Sequence, residues 1–174
     1  MLSGSASSQT ARVPPATQAA LLSKVASFDR NYAARAGQRA VVLVVKTASD
    51  KESAHDATGI AAALAEVPSI GNVPLEVTVV SYRSAPLLAE LVRTRRAAIV
   101  YLGTGFSSEV PAIRDALSQV SVLTFAAVPE DVPRGVVLGV DLISGRPKLL
   151  VNLAQAQKQQ VAFPASVLNL MKVY

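Results

Sequence analysis

The sequence AAIVYLGTGFSSEVPAIRDALSQVSVLTFAAV, residues 97–128, indicates the fold most clearly. An apolar run at 97–103 leads through a glycine-containing turn into a helical pattern at 107–119, and a second apolar run follows at 121–128. Short apolar runs that alternate with helical segments are typical of buried parallel strands joined by crossover helices. The segment therefore predicts one strand–helix–strand unit of a parallel sheet that is covered on both faces.

The same alternation fills the chain before residue 97. Apolar strand patterns alternate with helical patterns, and the predicted elements are a helix at 16–36, a strand at 39–46, a helix at 51–66, a strand at 74–82 and a helix at 84–96. Ser84 is the expected N-cap of the last of these helices, and Pro86 lies in its first turn. The pattern extends the predicted sheet to four parallel strands.

The last third of the chain follows a different pattern. Two apolar runs at 135–143 and 147–153 are separated by a short Ser-Gly-Arg turn, which predicts an antiparallel hairpin at one edge of the sheet. Asn152 is expected to cap the next helix, and Pro164 opens a last short one. The predicted fold is a single-domain three-layer α/β sandwich over residues 14–174, preceded by a flexible lead-in at 1–13.

Composition excludes several classes of protein. Apolar residues make up 51% of the 174 residues and charged residues 17%, which favours a packed globular domain over a disordered chain. The absence of cysteine excludes disulfides, thiolate catalysis and cysteine-based metal sites. No apolar run reaches the ~18 residues of a membrane span. The first residues lack the features of an intact signal peptide, so we expect a mature secreted chain or a start added for expression.

The net charge of +5 raises the question of a nucleic-acid partner. The basic residues are scattered, except for Arg93, Arg95 and Arg96 in the sequence RTRR. No aromatic residues alternate with these arginines, as they would on a surface that stacks single-stranded bases. We therefore expect no nucleic-acid partner.

The turn YLGTGFSS, residues 101–108, has part of the pattern of a phosphate-binding loop. Glycines between a strand and a helix can bind phosphate because free backbone N–H groups and the helix dipole converge there. However, Ser108 stands where the dinucleotide fingerprint needs a third glycine, and Glu109 would repel a phosphate. The pattern favours a tight turn followed by a serine-capped helix.

No catalytic set of residues stands out. His55 is the only histidine, so a metal site would lack ligands, and no G-x-S-x-G elbow supplies a nucleophile for a triad. The carboxylates near predicted strand ends are those of Asp50, Glu52, Asp56, Glu130 and Asp131. Charged residues are common in loops, and nothing in the sequence pairs these carboxylates. We expect no catalytic residue, no metal and no cofactor.

The predicted fold itself indicates where a ligand or partner would bind. In open parallel sheets, ligands bind outside the carboxyl ends of the strands, near the point where the strand order reverses. The residues predicted to line such a site are Thr47, Ser49, Ser81, Tyr82, Gly103, Thr104, Gly105, Phe106 and Pro129. Tyr82 and Phe106 could also simply cover the top of the core.

The C-terminal part of the chain resembles the YfiR-like family of bacterial periplasmic proteins, most closely over residues 135–174. Gly135 and Gly139 match its glycine-containing strand, and Gly145 with Arg146 matches its turn. The family pattern continues in residues Val151, Asn152 and Leu153, and in residues Ser166, Leu168, Leu170, Lys172 and Val173 of the last helix. These are structural positions: Asn152 is an expected helix cap, and Ser166 is expected to support the start of the last helix.

This resemblance implies regulation without enzymatic activity. Relatives act in the periplasm, where they bind the sensor domain of membrane-bound diguanylate cyclases and restrain cyclic-di-GMP synthesis and biofilm formation. The first half of the chain matches more loosely, so a histidine kinase or another envelope receptor stays open as the partner. Two alternatives also stay open: a small-ligand-binding protein that uses the strand-end loops, and an enzyme that uses His55 or Gly105. The hairpin edge and the last helix could form a homodimer.

Overall fold

The computed structural model describes residues 11–174, which contain one eight-stranded sheet with the strand order β2-β3-β1-β4-β5-β6-β7-β8. The strands are β1 (Ala40–Lys46), β2 (Ser69–Ile70), β3 (Val73–Ser81), β4 (Ala97–Leu102), β5 (Leu123–Ala126), β6 (Leu138–Ile143), β7 (Arg146–Val151) and β8 (Lys172–Val173). β1, β3, β4 and β5 pair in parallel, as the apolar runs predict. β6 extends this parallel part by pairing with β5, which the sequence did not predict. The fully buried β4 explains why its sequence is apolar throughout.

Helices cover both faces of this sheet. They are α1 (Pro15–Ala26), α2 (Tyr32–Ala36), α3 (Lys51–Ala65), α4 (Ala85–Arg95), α5 (Val110–Leu117), α6 (Leu153–Lys158) and α7 (Ala165–Leu168), with a 3-10 turn at Pro129–Asp131. The apolar residues of α1, α2 and α3 belong to one buried cluster, and those of α4 and α5 belong to a second cluster on the opposite face. The predicted α/β sandwich of three layers is confirmed.

The C-terminal hairpin forms with the predicted two strands. β6 and β7 are antiparallel, in a register that pairs Leu138 with Val151 and Ile143 with Arg146. Ser144 (φ 52°) and Gly145 (φ 74°) both lie in the left-handed region, as the two central residues of a type I′ hairpin turn do. Lys172 and Val173 were expected in the last helix, but they form β8, which pairs in parallel with the outer side of β7.

Helix boundaries differ from the prediction at three places. The helix predicted at 16–36 is interrupted between α1 and α2, where the Asp29 side chain accepts a hydrogen bond from the backbone N–H of Asn31 (3.1 Å). α5 begins at Val110, so the serines of the preceding turn do not cap it. Ser166 is exposed and does not cap α7, whose N-cap is Pro164, so that expectation was wrong.

Two predicted caps are confirmed. The Ser84 side chain accepts a hydrogen bond from Leu87 N–H, and Asn152 accepts one from Gln155 N–H. Of the predicted lead-in, residues 1–10 lie outside the described part of the chain. Val13, at the end of that segment, is buried against the cluster that includes α1 and α3.

Candidate functional site

The strand order places the switch point of the sheet between β1 and β4. From β1 the chain crosses over to β3 on one side, and from β4 it crosses over to β5 on the other. The loops that leave β1 and β4 at their carboxyl ends therefore diverge to opposite faces of the sheet, which is where open α/β sheets bind ligands. Six of the nine predicted site residues lie in these two loops: Thr47, Ser49 and the run Gly103–Phe106.

These two loops fill the crevice between β1 and β4 with their own atoms. The Ser53 hydroxyl accepts a hydrogen bond from Thr47 N–H and donates one to the Thr104 carbonyl, both at 3.0 Å. Gly105 adopts φ +87°, and a Cβ atom there would lie 3.2 Å from Cγ2 of Thr47. A Cβ on Gly103 would lie 3.0 Å from the Val45 carbonyl oxygen. The glycines therefore permit close packing of one loop on the other.

Tyr82 and Phe106 form an aromatic pair beside this crevice. Their rings meet edge to face with 5.2 Å between centroids, and Phe106 is fully buried. The Tyr82 hydroxyl donates a hydrogen bond to Oε2 of Glu109 (2.9 Å). Burial, with the hydrogen bond and the charge of Glu109, raises the pKa of Tyr82 to about 12. Phe106 is thus a core residue, and Tyr82 covers it as a neutral phenol.

A cavity of about 250 Å³ opens at the carboxyl ends of β1 and β3, beside Tyr82. It is lined by Val45, Val80, Ser81, Tyr82, Arg83, Leu87, Leu88 and Leu91. Leu87 is 50% exposed although it is a large apolar residue in the first turn of α4. Two of the predicted site residues, Ser81 and Tyr82, therefore share one concave and largely apolar surface.

The outer edge of β3 leads directly to this cavity. β2 pairs only with Val73 and Pro74, so from Leu75 to Ser81 that edge has no strand partner within residues 11–174. Val79 lies on this stretch and is 40% exposed. An unpaired edge of this length offers its backbone groups to another chain. We call the cavity and this edge together the β3 groove.

The remaining predicted residues lie apart from the β3 groove. Ser49 is exposed at the end of the loop after β1. Pro129 lines a different cavity, of about 150 Å³, together with Arg12 and Val13 from the N-terminal segment. The strand-end prediction therefore names residues of two separate concave surfaces, and it missed Arg12 because this residue falls in the predicted lead-in.

The candidate catalytic residues do not form a reactive cluster. His55 is exposed on α3, and residues 11–174 contain no group of three or more His, Cys, Asp or Glu side chains that could hold a metal ion. Asp131 is buried, and neither of its carboxylate oxygens has a hydrogen-bond partner within that range. Burial raises the pKa of Asp131, and this effect outweighs those of the nearby Ser107 and the Arg134 guanidinium, which lower that pKa.

The arginines of RTRR lie at the end of α4. Arg95 pairs with Glu76 (3.5 Å), and Arg96 ends the helix in the left-handed conformation. Arg93 and Arg96 line an open cavity of about 460 Å³ with Arg35, whose guanidinium is bound to Asp29 at 2.6 Å. Cations in the last turn of a helix complement its dipole, which accounts for their position.

Comparison with known proteins gives the family. The profile of the YfiR/HmsC-like family matches residues 15–172, nearly the whole chain. The chain is a member of the YfiR/HmsC-like family. Members of this family are periplasmic regulators of diguanylate cyclase signalling. No curated protein sequence matches this YfiR/HmsC-like chain at a significant level.

Solved structures resemble this YfiR/HmsC-like protein in fold at low sequence identity. An ABC domain from Streptococcus pneumonia, in complex with L-Trp, matches with a TM-score of 0.67 at 14% identity, and a conserved domain protein from Vibrio cholerae matches with 0.67 at 11%. Each match covers 92% of this chain and 60% of the other chain. An open, ligand-free substrate-binding protein from Clostridium difficile matches with 0.56 at 12% identity, over 83% of this chain and 57% of its own.

The chain thus spans about three-fifths of the length of these structures, and the likeness concerns the α/β fold alone. Within residues 11–174, no helix is both long and apolar enough to cross a membrane.

Proposed function

We propose that this protein is a non-enzymatic periplasmic regulator that binds the sensor part of a membrane-bound diguanylate cyclase and thereby controls cyclic-di-GMP synthesis. The observation that carries the proposal is the family match over residues 15–172. A membrane-bound histidine kinase is the alternative partner, because such a sensor offers the same kind of extracytoplasmic domain.

The β3 groove is the surface that we assign to sensor binding. An extended segment of the sensor would add a strand to β3 and place a side chain in the cavity beside Tyr82. Leu87 is suited to be the main apolar contact because it is half exposed at the rim of that cavity. Such recognition uses the backbone for affinity and the cavity for side-chain selectivity.

Cyclic-di-GMP measurement in the native host tests this assignment. Deleting the gene should change the cellular level of cyclic-di-GMP, and the wild-type gene should restore it. Leu87→Glu places a charge in the groove and should fail to restore the level. Ile143→Glu is the matched control, because Ile143 is 44% exposed at the far end of the β6–β7 hairpin. An unchanged level after deletion would contradict the proposal, and restoration by Leu87→Glu would remove the groove from it.

Small-ligand binding is the second candidate function, and the cavity at Ser81 and Tyr82 favours it. Its volume of about 250 Å³ approaches the range of small-molecule sites. One protein of similar fold was solved with L-Trp, which makes tryptophan a reasonable first probe. A ligand that binds only the folded state raises the melting temperature. A metabolite screen at millimolar concentration that gives no shift would argue against this function.

A homodimer is a further part of the proposal. β8 forms the second edge of the sheet, where Val173 within the strand is 46% exposed and Leu170 just before it is 69% exposed. A symmetric pair could bury these residues. Sedimentation should then give a dimer that Leu170→Glu converts to a monomer, and a wild-type monomer at high concentration would contradict it.

A further inference from the structure

The N-terminal segment Ala11–Val13 lies across the carboxyl edge of the sheet. Arg12 Nη1 lies 3.1 Å from Oδ2 of Asp56 and 3.5 Å from Oε1 of Glu52, both on α3. Val13 is only 5% exposed, and its carbonyl accepts a hydrogen bond from Nε2 of Gln18 (2.8 Å). We call residues 11–13 the strap.

The strap separates two cavities. One, of about 80 Å³, lies toward α1 and α3, and the other, of about 150 Å³, lies toward β6 and the Pro129–Asp131 turn. Arg12, Val13 and Ala127 line both of them. Without the strap, the two spaces would form one cleft outside the carboxyl ends of β4 and β5, next to the switch point between β1 and β4.

The walls of this cleft combine apolar surface with a few polar groups that point inward. The Tyr101 hydroxyl donates to Oε1 of Gln18 (2.7 Å), and the Thr104 hydroxyl donates to Oδ2 of Asp56 (3.1 Å). Ile60 and Val140 contribute apolar lining. This is the composition of small-molecule sites, in which a few polar groups fix the orientation of a largely apolar ligand.

The contacts of the strap indicate the chemistry of a ligand. The strap presents a cation to Asp56 and Glu52, and it places a short apolar side chain beside them. We propose that the cleft binds a small molecule with a guanidinium or ammonium group on a short apolar body, and that Arg12 and Val13 act as its built-in competitor. This site is separate from the β3 groove and does not depend on the proposed sensor binding.

Only a few weak interactions must break before the strap can be displaced. The ion pair is solvent-exposed, with 50% of the Arg12 side chain and 33% of the Asp56 side chain accessible, and exposed pairs of this kind are weak. Val13 contributes one small apolar side chain and the hydrogen bond that its carbonyl accepts from Nε2 of Gln18. A ligand must compete with the closed strap, so its apparent affinity is lowered by the fraction of molecules in which the strap is closed.

Calorimetric titration of the full chain with n-butylguanidinium and n-butylurea tests the site. The two probes match in shape, but only the first carries a charge. We expect butylguanidinium to bind at least ~10-fold more tightly, because only it can pair with Asp56. Arg12→Ala should tighten its binding about three- to fivefold by removing the competitor. Asp56→Asn should abolish it, and Glu66→Gln, exposed at the end of the same helix, should leave it unchanged.

Movement of the strap provides a second, independent measurement. The chain has no cysteine, so Val13→Cys introduces a single thiol at a buried position. Saturating butylguanidinium should raise the rate at which this thiol reacts with an aromatic disulfide reagent by about fivefold or more. Equal binding of both probes, no binding to either wild type or Arg12→Ala, or an unchanged thiol reaction rate would overturn the proposal.

Discussion

Among single substitutions in this chain, Asp29→Ala should cause one of the largest decreases in the free energy of unfolding. Asp29 and Arg35 form an ion pair of 2.6 Å with side chains that are 0% and 3% exposed. The Asp29 carboxylate also accepts hydrogen bonds from the backbone N–H groups of Asn31 (3.1 Å) and Ala162 (2.9 Å). It therefore holds the α1–α2 junction against the chain segment that follows α6.

The magnitude follows from what Asp29→Ala leaves behind. The Arg35 guanidinium keeps its contacts with Ser121 (3.2 Å) and the Gln160 carbonyl (2.9 Å), but its charge stays buried without a counter-ion. Breaking a buried pair in this way costs about 3–5 kcal/mol. For a domain of this size, 1 kcal/mol lowers the melting temperature by about 2–4 °C, so the expected decrease is roughly 6–20 °C.

Urea unfolding and calorimetry of Asp29→Ala, with Glu76→Ala as the matched control, measure this loss. Glu76 pairs with Arg39 (3.8 Å) and Arg95 (3.5 Å) on the surface, where loss of the acid should cost less than about 1 kcal/mol. A double variant that also carries Arg35→Met should recover part of the loss, because the orphaned charge is removed. Equal losses in Asp29→Ala and Glu76→Ala would refute the reasoning.

Two further predictions concern the strand-end loops. Asp131→Asn should stabilise the protein at pH 7 by about 1 kcal/mol, because it removes a buried carboxylate that has no hydrogen-bond partner within residues 11–174. Burial raises the pKa of Asp131, so the contribution of this carboxyl group to folding stability is complete below about pH 4. That contribution is lost as the pH rises through the raised pKa. The gain should therefore grow with pH in urea titrations, whereas exposed Glu130→Gln should show no such trend. Gly105→Ala should lower the free energy of unfolding by about 1–2 kcal/mol, through its positive φ and its contact with Thr47. Gly145→Ala also has a positive φ but open space around the new Cβ atom, so it should cost less. Equal decreases in melting temperature would mean that the contact with Thr47 contributes nothing.

The sequence could predict the sheet because its strands are covered on both faces. Continuous apolar runs such as AVVLVV at 40–45 are required by that burial and do not depend on distant residues. The break between α1 and α2 could not be predicted in the same way. It depends on Asp29, whose partner Ala162 lies 133 positions along the chain. β8 was missed because two residues carry no periodicity, and its pairing is set by where α7 ends.

The candidate site was predicted only in part, for a related reason. Parallel geometry places the ends of β1, β3 and β4 at one edge, so Ser81 and Tyr82 could be named from the sequence. Whether a loop leaves a cavity depends on tertiary contacts such as those of Ser53, which close the crevice beside Gly105. The strap was hidden because Arg12 meets Asp56 across 44 positions, in a segment with no secondary structure.

In-cell photocrosslinking in the native host tests sensor binding most directly. A photoreactive amino acid at position 87 probes the β3 groove, and the same residue at position 143 serves as the control. The account predicts that position 87, and not position 143, captures the extracytoplasmic domain of a membrane-bound cyclase or kinase. Capture of no membrane sensor from position 87, or equal capture from both positions, would contradict it.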